Sequence, residues 1–143
     1  MPSRDHEPLL RVSHFAVLIG DREFGFSEVG PLSSEADPDA PPDRPAHRYR
    51  TVVLRRALST STELFEWRRH LVDGRDDRRD VTIRQLSTPR GTTVNAWKLT
   101  RAWPSRWTGP AFDALSGDIA FEEIELSFED LDWLEHNRTV TGG

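Results

Sequence analysis

Residues 97–110 read WKLTRAWPSRWTGP and decide the fold of this chain. The stretch holds three of the chain's five tryptophans and closes on glycine and proline: Trp97, Trp103, Trp107, Gly109 and Pro110. Its beginning alternates like a β-strand, and Pro104 and the closing residues predict a rigid bend. A tryptophan side chain buries about 150–250 Å², so we expect these rings to anchor a corner against which the other elements pack.

The segments on either side of this stretch predict further antiparallel strands. Val81 and Ile83 alternate into a turn at residues 87–91, which returns the chain into the tryptophan strand. Upstream, residues 14–29 predict a hairpin. Residues 49–58 predict a strand with one apolar face, formed by Val52, Leu54 and Leu58, and three arginines, Arg50, Arg55 and Arg56, that make it amphipathic.

In the strand predicted at residues 119–128, the apolar residues change from one face of the strand to the other. Ile119 and Phe121 share one parity, whereas Ile124, Leu126 and Phe128 share the other. This switch predicts a β-bulge near Glu122 and Glu123, or a strand that changes the core it faces.

A single helix is predicted after residue 60. Thr60 and Glu63 have the spacing of a capping box, and Gly74 is suited to the carboxyl end. Leu64, Trp67 and Leu71 recur at helical spacing, which places Trp67 in the core. The fold class is therefore mainly β with one flanking α-helix, and 143 residues suit one domain spanning residues 1–143.

Composition disfavours several classes of protein. The net charge is −5, and arginines lie beside acidic residues, so the sequence shows no basic stripe typical of nucleic-acid binding. The sequence contains no cysteine, which excludes disulfides and thiolate metal sites. The first residues lack the features of a signal peptide, and no apolar run approaches about 20 residues, so we expect cytosolic synthesis without membrane insertion.

Residues 33–48 form an acidic, proline-rich segment that predicts a surface loop. Two interpretations remain open: an arm that contacts another subunit, and a solvated connector. Its candidate contact residues are Asp37, Asp39, Asp43 and Arg44. Residues 135–143 are polar and glycine-rich and are expected to fray.

The sequence predicts no catalytic, cofactor-binding or metal site. The five histidines show no ligand spacing, and no nucleophile and base form a recognisable motif. Glu123 and Glu125 would project from one face of a strand as a charged stripe. Stacking of the tryptophans on sugars makes a small carbohydrate-binding module the alternative from another functional class.

The order of several motifs resembles the tail tube proteins of contractile-tailed phages and of related extracellular contractile injection systems. The resemblance covers nearly the whole chain. Its motifs are FAVLIG at 15–20, GFSEV at 25–29, LRR at 54–56, STELFEW at 61–67, AWPSRW at 102–107 with Gly109 and Pro110, and IAFEEIEL at 119–126.

This resemblance implies a compact β-sandwich or barrel that closes into rings of six. Stacked rings would form a tube inside a contractile sheath, with baseplate or spike proteins at its end and a cargo effector or DNA in its lumen. Glu123 and Glu125 would then face a lumen, a neighbouring subunit or an outer wall. Assembly in the cytoplasm would precede incorporation into a released particle. A single-ring initiator at the baseplate is the alternative role within the family.

Overall fold

The computed structural model describes residues 10–33, 39 and 50–134. Of the predicted proline-rich loop, only Ser33 and Asp39 are among them. The predicted contact residues Asp37, Asp43 and Arg44 and the tail at residues 135–143 lie outside the described residues.

The described chain forms a mainly β fold with one helix, which confirms the predicted fold class. The elements in chain order are β1 (Phe15–Ile19), β2 (Arg22–Phe24), β3 (Glu28–Val29), β4 (Arg50–Ala57), α1 (Glu63–Val72), β5 (Arg79–Leu86), β6 (Thr93–Thr108), β7 (Phe121–Phe128) and β8 (Asp130–Leu134).

All strand pairs are antiparallel, and β6 is shared by two halves of the sheet. The strand order is β2-β1-β5-β6-β7-β4-β3, and β8 also pairs with β6. The first part of β6 pairs with β5 and β8, whereas residues 103–108 pair with β7. We call these the first and second half-sheets. The chain runs directly from β2, at the edge of the first half-sheet, to β3, at the edge of the second.

The bend in β6 lies at Arg101, not at the proline and glycine that the sequence indicated. Arg101 has a φ of +51°, and the pairing with β5 shifts by one residue at this point. Its backbone N–H donates to Oδ1 of Asp80 at 3.0 Å. The strand then continues through Pro104 to Thr108, with a second shift beside Ser105. Proline is tolerated where a bulge interrupts the ladder.

The core lies between the inner faces of the two half-sheets and the helix. Strand alternation supplies Val17, Ile19, Val52, Leu54, Val81, Ile83, Leu99, Ile124, Leu126 and Phe128, and the helix adds Leu64 and Trp67. The predicted apolar face of β4 is confirmed at Val52 and Leu54, but Leu58 follows the strand and is exposed. Two arginines of this strand, Arg50 and Arg56, lie on the same face as Val52 and Leu54. Arg50 is buried, and the side chain of Arg56 is 14% exposed and pairs with Glu122.

The predicted bulge near Glu122 and Glu123 is wrong. The pairing of β4 with β7 is regular from Phe121 to Phe128, and the even residues face the core from Glu122 onward. Ile119 lies before the strand and is exposed. Phe121 lies on the outer face, with its ring centroid 3.8 Å from Cζ of Arg55. The guanidinium therefore covers an aromatic ring that the sequence pattern had assigned to a core.

The helix begins differently from the prediction and ends as predicted. Its N-cap is Thr62, without a side-chain capping bond, so the proposed capping box of Thr60 and Glu63 is wrong. At the carboxyl end, Gly74 has a φ of +84°, and its N–H donates to the carbonyl of Leu71 at 3.1 Å. A left-handed glycine closes the helix here because it carries no Cβ.

Candidate functional site

The helix is fixed to the second part of β6. Nη1 of Arg68 donates to the carbonyl of Pro104 at 3.0 Å, on the edge of β6 that faces away from β7. The rings of Phe65 and Trp107 meet edge to face with centroids 5.0 Å apart. A Cβ added to Gly109 would lie 2.8 Å from Cη2 of Trp107, so only glycine allows this approach.

Trp67 ties the connector after the helix to the core. The indole is 1% exposed, and its Nε1 donates to the carbonyl of Asp77 at 2.6 Å. The guanidinium of Arg79 lies 4.8 Å from the centre of the indole ring. The Asp77 carboxylate accepts bonds from Arg79 at 2.8 and 3.0 Å and lies 2.7 Å from Nδ1 of His70. The prediction that Trp67 lies in the core is confirmed.

Asp77 predicts a pH dependence of stability. The bond from Arg79, with a further contribution from His70, lowers the pKa of Asp77 from 3.8 to about 2. A carboxyl group with a lowered folded pKa stabilises the fold above pH 3.8, and this contribution is lost as the pH falls towards 2. We expect Asp77→Asn to lower the free energy of unfolding at pH 7 by about 1–2 kcal/mol.

Urea unfolding of Asp77→Asn and wild type between pH 2 and 7 would measure this effect. The two stability curves should approach each other as the pH falls from 3.8 to about 2. Asp73→Asn, an exposed acid in the same connector, is the matched control and should follow the wild type. A constant offset between Asp77→Asn and wild type down to pH 2 would contradict the assignment.

A buried charged cluster closes the outer end of the core. Glu122 is 2% exposed, and its carboxylate accepts from Nε of Arg56 at 2.9 Å and from Nε1 of Trp107 at 2.8 Å. Arg56 and Glu122 are direct cross-strand partners in the pairing of β4 with β7. Buried charges need such partners, because transfer from water without them is costly. The cluster therefore fixes the register of these two strands.

Glu123 and Glu125 share the outer face of β7, as predicted, and each is paired with an arginine. Oε1 of Glu123 lies 3.5 Å from Nε of Arg55, and Oε1 of Glu125 lies 3.3 Å from Nη2 of Arg106. The pairs are largely exposed and are worth at most about 1 kcal/mol each. This face therefore presents alternating charge and not an acidic stripe.

Trp103 lies on the same outer face, next to the bend. The guanidinium of Arg78 lies 4.8 Å from the centre of its ring. Oε1 of Glu129 accepts from Nη1 of Arg78 at 2.6 Å and from Nε of Arg101 at 3.2 Å. Ion pairs thus surround the bend, and the ring is covered by a side chain of the same subunit.

Trp97 alternates in phase with Leu99, a pattern that favours burial of both, but the ring of Trp97 is only half-buried. Leu99 is fully buried, whereas Trp97 stacks on the exposed Trp133 of β8, with centroids 5.7 Å apart. Nε1 of Trp133 donates to Oδ1 of Asn95 at 3.1 Å. Trp97 and Leu99 lie on the same, inner face of the strand, but the second half-sheet does not extend over Trp97.

Sequence reasoning missed the roles of Glu122, Arg56 and Trp133. Glu122 has the parity of Ile124 and Leu126, so the period of two places it on the core face once the strand is known to be regular. The sequence carries no comparable signal for Trp133, because only the pairing of β6 with β8 brings it next to its partner Trp97.

β8 has one free edge in the described part of the chain. Asp130–Leu134 pairs with β6 on one side, and the other side has no strand partner among the described residues. Both of its last residues, Trp133 and Leu134, are exposed. An unpaired strand with exposed apolar side chains is a template for pairing with another chain.

The described residues contain no group of three or more histidine and acidic side chains that could hold a metal ion. No described helix is long and apolar enough to cross a membrane. Both Trp103 and Trp107 already have partners within the chain, because Arg78 lies over the first ring and Phe65 packs edge to face with the second.

Comparison with known proteins adds three findings. The family model described as T4-like virus tail tube protein gp19 matches residues 44–132. The chain is similar to a chain in the sheath-tube complex of the extracellular contractile injection system PVC, with 26% identity over 90% of this chain and 93% of that one, and a TM-score of 0.71. It is also similar to a chain in the PVC sheath/tube terminator structure, with 25% identity over 90% and 98% of the two chains and a TM-score of 0.73.

The fold is also similar to that of the anti-feeding prophage cap, described as a tube terminating cap. Here the identity is 18% over 94% of this chain and 96% of that one, and the TM-score is 0.79. No curated protein sequence matches the chain significantly.

Proposed function

Because this chain belongs to the T4-like virus tail tube protein family, we propose that it is a structural, non-enzymatic subunit of the inner tube of a phage tail or contractile injection system. Six copies would close into a ring, and rings would stack around a lumen that conducts a cargo effector or DNA. The family match carries the proposal, and the free edge of β8 supports it.

The edge of β8 suits lateral contacts within a ring. A closed cyclic assembly uses every free edge, whereas an open one leaves a template for aggregation. Asp130 and Asp132 alternate with the apolar residues of this strand, so the edge combines charge with exposed apolar surface. We propose that β8 of one subunit contacts the neighbouring subunit in the ring.

The relatives suggest the partners. The similar PVC chain comes from a sheath-tube complex, and a further similar fold comes from an anti-feeding prophage baseplate. We therefore propose that the tube contacts a contractile sheath and a baseplate, and that it is assembled in the cytoplasm before release in an extracellular particle. Glu123 and Glu125, on the charge-balanced outer face, are candidate contacts with the lumen or with a neighbour.

The assembly state of the purified protein tests the proposal. We expect light scattering to give six times the 16.4 kDa chain mass or multiples of that value. Negative-stain microscopy should show rings or tubes. A protein that stays monomeric at high concentration would contradict the proposed function.

A second role, as a single ring at an end of the tube, is favoured by one observation. The backbone agrees better with the tube terminating cap, at a TM-score of 0.79, than with the chain from the sheath-tube complex, at 0.71. A terminator or a baseplate initiator would form single rings in the same experiment, whereas the main tube subunit would form long tubes.

We expect Trp103→Ala to impair assembly or folding and not glycan binding. The substitution removes the ring on which the guanidinium of Arg78 lies. This contact is next to the bend in β6, and the bend orients the two half-sheets. Thermal melts and micrographs of the variant would show a lowered melting temperature, fewer rings, or both. Glycan-array binding by the wild type that disappears in Trp103→Ala or Trp107→Ala would instead support a carbohydrate-binding module.

A further inference from the structure

The loop between β6 and β7, residues 109–120, exposes large apolar side chains. Leu115 is 98% exposed, and Phe112 and Ile119 are also largely exposed. The loop is held in place, because the N–H of Leu58 donates to the carbonyl of Ala120 at 2.8 Å. Three large apolar side chains exposed within eight residues indicate a candidate interaction surface. We call residues 109–120 the apolar loop.

An apolar pocket of about 510 Å³ lies where the opposite end of β6 begins. Its apolar lining comes from Phe15, Val29, Leu32, Ile83 and Trp97, and Val12, which is 90% exposed, stands at its rim. Residues of β1, β5 and β6 in the first half-sheet and of β3 in the second line the pocket. We call it the end pocket.

A subunit cannot fill its own end pocket with its own apolar loop. Trp97, in the pocket, and Thr108, the last residue of β6 before the loop, are eleven residue steps apart along the strand. At about 3.3 Å per residue these span up to about 36 Å of strand, shortened by the bend. The loop is tied at both ends, to β6 and to Leu58, so it cannot reach back over this distance.

The charges of the two surfaces are complementary. The apolar loop contains Asp113 and Asp118 and no basic residue. Residues 12–15 and 83–85, which line the end pocket, contain no acidic residue and carry His14 and Arg84, and the chain next to them adds Arg11 and Arg90. A third lining segment, residues 27–32, contributes one acidic residue, Glu28.

Two buried nitrogens of the pocket lining, Nδ1 of His14 and Nε of Arg84, have no hydrogen-bond partner in the described part of the chain. The glutamate in the lining, Glu28, is 3.9 Å from the guanidinium of Arg55, which offsets its charge. An incoming acidic loop would add carboxylates beside the guanidinium of Arg84, whose Nη2 already lies 3.4 Å from Oε1 of Glu23.

We infer that the apolar loop of one subunit docks in the end pocket of a second copy of this chain. The two surfaces differ and lie at opposite ends, so the contact is heterologous and propagates from one copy to the next. The inference rests on the proposed function, because such a contact would join successive rings, and it deepens that proposal by naming the surfaces.

Disulfide trapping tests this contact directly, because the chain contains no cysteine. Val12→Cys and Leu115→Cys are prepared as separate variants and mixed under mild oxidation. We expect a cross-linked dimer in the mixture and little in either variant alone, since the contact joins unlike surfaces. Val72→Cys, at an exposed aliphatic residue of the helix, is the matched control and should cross-link with neither.

A charge substitution gives an independent readout. We expect Leu115→Asp to form rings but to raise the concentration needed for stacking at least about tenfold, which corresponds to about 1.4 kcal/mol per contact. Val72→Asp makes the same change at a residue that is 59% exposed and should stack like the wild type.

The outcomes separate this contact from the proposed function. Rings or tubes of the wild type, without cross-linking of Val12→Cys to Leu115→Cys above the Val72→Cys control, would overturn the contact and leave the proposed function intact. A double variant, Val12→Cys with Ala40→Cys, that closes an intramolecular disulfide instead would assign the pocket to the chain's own residues 34–49. A strictly monomeric wild type would overturn both.

Discussion

Trp67→Ala is expected to lower the free energy of unfolding by about 3–5 kcal/mol, because it removes a large aromatic side chain from a well-packed core. The indole is 1% exposed and is in contact with the connector through the carbonyl of Asp77. Its loss leaves a cavity, an unpaired carbonyl and an uncovered Arg79 guanidinium. Domains of this size are typically stable by about 5–15 kcal/mol, so the variant approaches unfolding at room temperature.

Equilibrium urea unfolding, followed by far-ultraviolet circular dichroism, measures this loss. Trp67→Phe keeps most of the ring but not the N–H donor, and should cost less than Trp67→Ala. Trp133→Ala removes an equally large ring from an exposed position and is the matched control for tryptophan loss. Equal effects of Trp67→Ala and Trp133→Ala would show that burial of the helix on β6 does not dominate stability.

The elements that the sequence predicted well are those with a single strong period. Leu64 and Trp67 recur at helical spacing and are buried on the helix, and Val52 and Leu54 alternate on a strand with one buried face. In these segments the sequence pattern agrees with the burial in the folded chain, because each element turns a single face towards the core.

The features that the sequence misplaced depend on contacts between residues that are far apart in the chain. The bend at Arg101 arises from a residue inserted opposite Asp80, and a non-glycine residue with positive φ has no local sequence signal. Pro104 suggested that the strand ended, yet its carbonyl is used by Arg68 of the helix. Proline breaks a strand only where its missing N–H is needed for pairing.

The candidate assembly surfaces were only partly predictable for the same reason. The parity of Glu123 and Glu125 fixed their shared face, but their pairing with Arg55 and Arg106 required the neighbours of β7. The exposure of Phe112 and Leu115 has no signal in the sequence, since exposure is a property of the folded chain. A sequence pattern assigns faces, whereas the free edges and pockets follow from the order of the strands.

Glu122→Ala should cost about 3–5 kcal/mol of unfolding free energy, although it removes a charged residue. The substitution leaves the largely buried guanidinium of Arg56 without its carboxylate and Nε1 of Trp107 without its acceptor. Nη2 of Arg56 already has no hydrogen-bond partner among the described residues, so the remaining charge would be poorly compensated. Burying an unpaired charge costs more than the pair contributes to stability, which sets the sign of the effect.

The neighbouring glutamate provides the control for this prediction. Glu123→Ala removes the same group one residue along β7, where it is exposed and paired with Arg55, and should cost at most about 1 kcal/mol. In a double-mutant cycle, Arg56→Leu with Glu122→Leu should be much less destabilised than Glu122→Leu alone, because no charge stays buried. Glu122→Ala and Glu123→Ala with equal unfolding free energies would show instead that water reaches the cluster and that it does not fix the register of β4 and β7.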